Sequence, residues 1–99
     1  MIEIKTGTVE GTGSAINITC GFIPKYVKLI NIDGDATGEW TEDMTDDEIF
    51  KDLPTGVMAQ MASGGITPMT VNGTVLGFTI GTDTDINVSA ETLMWIAMR

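Results

Sequence analysis

Apolar residues recur along this chain in short runs, and several of these runs alternate with polar or small residues. In the stretch 15–22, the residues Ile16, Ile18, Cys20 and Phe22 occupy every second position. Alternation with a period of two places all four side chains on one face of a β-strand. The stretch 15–22 is therefore predicted to be a strand with one buried face.

Similar patterns, separated by glycines and by other turn-forming residues, predict the remaining strands. Twelve glycines divide the chain into short pieces, which is typical of a sandwich or barrel. The Asn72-Gly73 dipeptide favours a tight hairpin. Predicted strands lie at 2–9, 25–32, 39–44, 76–80, 86–88 and 93–98. The last of these, with the apolar run Thr92–Arg99, is expected to be buried on both faces, so that the chain ends inside its own core.

One helix is predicted, near residues 46–52. Thr45 and Glu48 have the spacing of a capping box, in which each side chain bonds the backbone N–H of the other residue. Pro54 would prevent the helix from continuing. Together these patterns predict a single domain over residues 1–99, an all-β, small antiparallel β-sandwich (jelly-roll-like) with one short helix.

The segment from Gly56 to Met69 gives conflicting signals. Met58 and Met61 have helical spacing, whereas Gly64-Gly65 and Pro68 favour an irregular excursion from the sheet. Methionines in such a segment can fill gaps in a core or can contact a partner at the surface, and the sequence leaves both alternatives open.

The charge distribution narrows the classes of partner. The chain has a net charge of −9, and nine of its 14 acidic residues lie between Asp33 and Asp52, where Lys51 is the only base. This acidic stretch would repel nucleic acid, and it is expected either to be solvated or to face a basic partner. Residues 1–5 lack the pattern of a signal peptide and no apolar run is long enough for a membrane span, so a soluble protein made in a cytoplasm is expected.

Catalytic and cofactor chemistry is constrained by the absence of histidine. Without it, neither a Ser-His nor a Cys-His nucleophile pair can form. Cys20 is the only cysteine and is predicted to be a small core residue, so a zinc site with N and S ligands is also excluded. The carboxylates lie in polar runs that favour solvation rather than acid–base catalysis. We expect a protein that is not an enzyme and has no cofactor.

A short acidic pattern near the C-terminus resembles the start of a calcium loop. Asp83, Asp85 and Asn87 alternate as oxygen ligands would, but Val88 stands where the loop needs glycine and Met94 where it needs glutamate. A hairpin turn with hydrogen-bonding Asp and Asn side chains explains the pattern better, and no metal site is predicted.

Several segments together resemble small structural proteins of tailed bacteriophages, in particular head decoration or cement proteins. These segments are Gly21–Asn31, Glu39-Trp40 with Met44, Gly77–Gly81, Ile86–Val88 and Glu91–Arg99. The resemblance extends over Gly11–Asn31 and Asn72–Arg99, with a looser match between them, and it consists of glycines and aromatic residues typical of a fold rather than of a chemical signature. It implies a non-enzymatic virion protein on the outer capsid surface, made in the host bacterial cytoplasm. The implied partners are the major capsid protein and two further copies, in a homotrimer.

On this hypothesis, apolar residues without a clear place in the alternation would contact the partner. They are Ile2, Ile4, Met58, Met61 and Met69.

An alternative function is that of a tail-fibre or receptor-binding module that recognises carbohydrate. Trp40 and Tyr26 would then be exposed and stack on sugar rings, whereas a buried Trp40 would favour a purely structural role. A third alternative, a tail-tube or baseplate subunit, predicts ring or helical stacking instead of discrete trimers.

Overall fold

The computed structural model describes residues 3–71 and 75–99, and these residues form an all-β, antiparallel structure without a helix. The strands are β1 (Ile4–Glu10), β2 (Ile16–Thr19), β3 (Tyr26–Asn31), β4 (Ala36–Thr41), β5 (Ile49–Asp52), β6 (Met58–Met61), β7 (Ile66–Val71), β8 (Val75–Ile80) and β9 (Thr92–Met98). The larger sheet has the order β1-β9-β3-β4-β5-β6, and the smaller sheet has the order β2-β8-β7.

The two sheets face each other across one hydrophobic core. The larger sheet contributes Leu29, Trp40 and Trp95 to this core, and the smaller sheet contributes Ile18 and Phe78. The radius of gyration is 12.4 Å, close to the roughly 13 Å expected for a compact chain of about 100 residues. The arrangement is sandwich-like, and the core lies between the inner faces of the sheets.

Strand β9 occupies a central position between β1 and β3, and only one of its faces is buried. Leu93, Trp95 and Ala97 point into the core, whereas Met94, Ile96 and Met98 are half-buried on the opposite face. The expectation that this strand is buried on both faces is therefore wrong. The smaller sheet covers the inner face of the larger sheet, and none of the described elements covers the outer face.

The prediction of a helix near residues 46–52 is also wrong. Part of its capping signal forms, because the backbone N–H of Thr45 donates to Oε1 of Glu48 at 2.8 Å. The backbone then turns sharply at Asp47, whose φ is 74°, and continues as strand β5. Glu48 accepts a hydrogen bond from the backbone of Ile66 instead of from a helical turn. Pairing with neighbouring strands thus overrides the local helix signal.

Three other segments differ from the sequence-based expectation. The irregular excursion expected between Gly56 and Met69 contains strand β6 and the start of β7, which pair with β5 and β8. The strand expected at 39–44 is β4, which begins and ends three residues earlier. Ile86 is buried, but residues 86–88 lie in turns rather than in a strand. The hairpin predicted at Asn72-Gly73 lies outside the described residues, as does Ile2.

Candidate functional site

The outer face of the larger sheet is the most extended apolar surface that the strand register produces. Every second residue of the six strands points to this face. Apart from Glu10 and Thr92, which pair at one end of β1 and β9, these residues align in three rows across the sheet. The rows are Ile4–Met98–Tyr26–Thr41, Thr6–Ile96–Lys28–Glu39–Phe50–Gln60 and Thr8–Met94–Ile30–Thr37–Asp52–Met58. We call these residues the outer face.

Half of the outer face is apolar or aromatic. Ile4 and Met58, at its opposite edges, are 57% and 60% exposed, and the apolar residues between them are half-buried by their neighbours in the sheet. None of the eight belongs to the core or packs against it. Six strands of this length give a footprint on the order of 450 Å². The apolar half of this footprint can supply the centre of a protein–protein interface, with the polar half and the surrounding loops as its rim.

Charged residues on the outer face are few. Lys28 and Glu39 face each other in the middle row, and Asp52 lies near the β6 edge. Most of the acidic residues between Asp33 and Asp52 lie instead in the loops at the two ends of the strands, with Asp33 and Asp35 at one end and residues 42–48 at the other. The outer face is therefore nearly neutral and is bordered by acidic loops.

Tyr26 forms the most tightly held polar contact of this face. Its hydroxyl donates to Oε2 of Glu39 at 2.6 Å. Burial, the hydrogen bond to Glu39 and the negative charge of Glu39 together raise the pKa of Tyr26 to about 12. The phenol therefore stays protonated at physiological pH, and its hydrogen-bonding proton is committed within the chain.

A second cluster lies on the opposite side of the larger sheet. Lys51 on β5 is 5% exposed, and its Nζ lies 3.0 and 3.2 Å from the two carboxylate oxygens of Asp83. Oδ2 of Asp85 lies 2.6 Å from the same nitrogen. Burial lowers the pKa of Lys51, but the hydrogen bonds and charges of Asp85 and Asp83 outweigh this effect and raise the pKa above its ordinary value. We call these three residues the Lys51 cluster.

The loop that carries the two aspartates is shaped by its own side chains. Oδ1 of Asp83 accepts hydrogen bonds from the backbone of Asp85 at 2.9 Å and of Ile86 at 3.2 Å. Asn87 is 2% exposed and uses all of its hydrogen-bonding capacity on backbone groups: it accepts from Thr12 and Gly13 and donates to Ser14 and Gly81. Asp83 and Asn87 form the hydrogen bonds predicted for a turn, but this loop joins strands of different sheets and is not the predicted hairpin. The carboxylates that resemble calcium ligands contact the ammonium of Lys51.

A shallow depression of about 190 Å³ opens beside the Lys51 cluster and is lined by Lys51, Asp83, Ser63 and Thr84, among others. Its volume is below the roughly 300–1,000 Å³ of typical small-molecule sites. Among residues 3–71 and 75–99, no three acidic, cysteine or histidine side chains are grouped so that they could hold a metal ion. The same residues include no helix with the length and hydropathy of a membrane span.

The structure brings together only part of the contact set predicted from sequence. Ile4 and Met58 both lie on the outer face, at its two edges. Met61 points to the inner side of β6 and packs against the core, whereas Met58 is exposed. Met69 lies on β7 in the smaller sheet, away from the outer face.

The two aromatic residues of the carbohydrate alternative lie on opposite faces of the larger sheet. Trp40 is 1% exposed, and its Nε1 donates to the backbone oxygen of Thr45 at 3.3 Å. Its indole ring is packed in the core and has no free face for a sugar. Tyr26 is half-buried on the outer face. Because adjacent strand residues point to opposite faces, and Trp40 pairs with Val27, the two rings cannot form one stacking platform.

Sequence patterns alone did not identify either the outer face or the Lys51 cluster. In residues 92–98, the side chains on both faces of the strand are mostly apolar. This pattern was interpreted as burial on both faces, but it fits equally well a strand with one face in the core and one face uncovered. Lys51 follows Ile49 by two residues, so the assignment of β5 as a strand would have placed the lysine on the inner side. Comparison of the chain with family models, with curated proteins and with solved structures finds no match.

Proposed function

We propose that this chain is a non-enzymatic structural protein of a tailed-bacteriophage virion, a capsid decoration (cement) protein that binds the outer surface of the head shell and stabilises it. The observation that supports docking is the uncovered apolar outer face of the larger sheet. The assignment to the phage head rests on the resemblance carried by the strand segments. A small β-sandwich of the jelly-roll-like kind is the fold that the resemblance implies, and two antiparallel sheets around one core are compatible with it.

In this proposal the outer face lies against the shell protein. Met94, Ile96 and Ile30 form its apolar centre, since they occupy adjacent positions on the two central strands. Burial of such residues provides most of the affinity in protein interfaces, while the polar rim provides specificity. The acidic loops at the strand ends would contact basic residues of the shell or remain in water, and their charge keeps the protein away from packaged DNA.

Copies of the chain would associate as a homotrimer on the shell surface, as the resemblance implies. The carbohydrate-binding alternative loses its main support because Trp40 is buried. It is therefore treated below as an outcome of the experiment rather than as a second proposal.

The test combines light scattering of the purified protein with co-sedimentation on expanded empty phage shells that lack it. We expect a trimer that binds shells at a fixed stoichiometry and raises the temperature at which the shells fall apart. Met94→Glu should abolish binding, because it places a charge between Thr8 and Ile30 on the outer face. Thr19→Glu, at an exposed position of the smaller sheet, is the matched control and should bind normally.

Two results would count against the proposal. Wild-type protein that ignores shells but binds bacterial surface glycans would favour the receptor-binding function. Equal binding by wild type and Met94→Glu, with both variants folded, would show that the outer face is not the docking surface.

A further inference from the structure

The Lys51 cluster connects parts of the chain that belong to different sheets. Lys51 lies on β5 of the larger sheet, and Asp83 lies in the loop that follows β8 of the smaller sheet. We propose that Lys51 and Asp83 form an intramolecular isopeptide bond, an amide between Nζ of the lysine and Cγ of the aspartate. This proposal is independent of the function proposed above.

The geometry places the reacting atoms close together before any bond forms. Nζ of Lys51 is 3.0 Å from Oδ2 of Asp83 and 3.2 Å from Oδ1. The carbon between these oxygens therefore lies at a similar distance, about 3–3.5 Å from the nitrogen, which is the separation of a near-attack conformer. The side chains of Lys51 and Asp83 are 6% and 3% exposed, so the pair is held by packing as well as by charge.

Asp85 provides the proton transfers that the reaction needs. The Lys51 ammonium, which its two carboxylate partners stabilise, must first give one proton to the Asp83 carboxylate, which yields a neutral amine and a carboxylic acid. This transfer is the costly step of the reaction. The amine nitrogen then attacks Cγ and forms the C–N bond. Asp85, whose Oδ2 is 2.6 Å from Nζ, takes a second proton from the nitrogen and passes it to the departing hydroxyl. The C–O bond breaks, one water leaves, and Asp85 ends in its original ionised state.

Two features of the surroundings favour the amide over the ion pair. Formation of the amide removes two buried charges, whose desolvation is costly in a protein interior. The fold holds the amine and the carboxyl group next to each other, so they need not meet by diffusion. For well-oriented groups in one molecule the effective molarity reaches about 10⁵–10⁸ M. The depression lined by Lys51 and Asp83 opens to solvent and provides an exit for the water.

The bond would join residues that are 32 positions apart in sequence. A covalent link of this kind restricts the unfolded chain and holds the larger sheet to the loop beyond β8. Resistance of the folded chain to heat and to proteases would then depend on this link, in a chain that has a single cysteine and so cannot form an internal disulfide.

The experiment is the intact mass of the purified wild-type protein, measured after denaturation. An isopeptide bond lowers the mass by about 18 Da, the mass of one water. Trypsin cleaves after free lysines, so the denatured cross-linked chain should give one fragment 29–99 that remains uncut at Lys51. A chain without the bond gives separate fragments 29–51 and 52–99.

The masses of two variants distinguish isopeptide formation from other reactions that remove water from the chain. Lys51→Arg keeps the positive charge and should have the full calculated mass. Asp85→Asn should form the bond more slowly than wild type, since it lacks the proton acceptor. The Asp33-Gly34 sequence can also lose water by cyclisation to a succinimide, but hydroxylamine opens the succinimide ring to a hydroxamate and leaves an amide intact. A wild-type chain of full mass that is cut at Lys51 would overturn the proposal, and an Asp85→Asn chain that reacts at the wild-type rate would overturn the role of Asp85.

Discussion

Phe78 and Trp95 pack edge to face across the interface between the two sheets, with ring centroids 5.6 Å apart and ring planes at 76°. Phe78 belongs to β8 of the smaller sheet and Trp95 to β9 of the larger sheet. Edge-to-face pairs contribute about 0.5–1.5 kcal/mol beyond the burial of their area. Gly7 on β1 pairs with Trp95 and leaves the space that the indole occupies.

We therefore predict that Gly7→Val destabilises the fold. A Cβ atom at position 7 would lie 2.7 Å from the indole of Trp95, so the ring must move away from Phe78. Overpacking of this kind costs about 1–3 kcal/mol. The measurements are urea denaturation and the near-ultraviolet circular dichroism of the tryptophans. Thr6→Val, on the outer face of the same strand, is the control and should change neither.

Asn87 is predicted to be essential for the packing of the loops around it. Asn87→Ala would leave the backbone groups of Thr12, Gly13, Ser14 and Gly81 without their present partner. Because a hydrogen bond contributes about 0.5–1.5 kcal/mol net, the loss of four should lower the free energy of unfolding by at least about 2 kcal/mol. Asn17→Ala is a suitable comparison, since Asn17 is exposed and its side chain accepts one hydrogen bond, from Thr79. Equal losses in the two variants would contradict the role given to Asn87.

The phenol of Tyr26 should ionise near pH 12, well above the ordinary tyrosine pKa of 10.0. Glu39→Gln should lower this pKa but not restore it to 10.0, because burial is the largest cause of the shift. A spectrophotometric titration in the ultraviolet measures both values. A wild-type phenol that ionises like a free tyrosine would show that the contact with Glu39 does not persist in solution.

The raised pKa of Tyr26 also makes stability depend on alkaline pH. The folded state holds the Tyr26 proton more tightly than the unfolded state, so this contribution is complete below pH 10.0 and is lost as pH rises towards about 12. The free energy of unfolding of wild type should therefore fall relative to that of Tyr26→Phe as pH rises across this range, as measured by urea denaturation at each pH. A difference between the two proteins that does not change with pH would contradict this linkage.

Strand β9 offers a direct test of the two faces. Leu93→Gln places an amide in the core, where Leu93 is 1% exposed, and should cost about 2–5 kcal/mol. Ile96→Gln changes the outer face and should alter the free energy of unfolding by no more than about 1 kcal/mol. Thermal denaturation of the two variants distinguishes these outcomes. A large loss in Ile96→Gln alone would mean that the outer face is covered within the isolated chain.

Prediction from the sequence succeeded best where apolar and other residues alternate over several consecutive positions of a strand. Residues 76–80 fall in a strand, and Cys20 is a buried core residue, as expected. Of the strand predicted at 15–22, only residues 16–19 form one, although Phe22 is also buried in the core. The prediction failed for residues 46–52. The capping box at Thr45 and Glu48 is a local signal that the sequence shows, whereas the pairing of β5 with β4 and β6 depends on segments elsewhere in the chain. Helix capping contributes about 1 kcal/mol, which a strand buried in a sheet readily exceeds.

For this protein the sequence by itself determined the all-β class, the concentration of acidic charge between Asp33 and Asp52, and the impossibility of any chemistry that needs histidine. Only the tertiary structure decided which side of β9 is covered. It also placed Lys51 between Asp83 and Asp85. The physical reason is that alternation specifies two faces but not which face meets another sheet. Contacts between positions 51 and 83 depend on strand order, which arises from the packing of the whole chain.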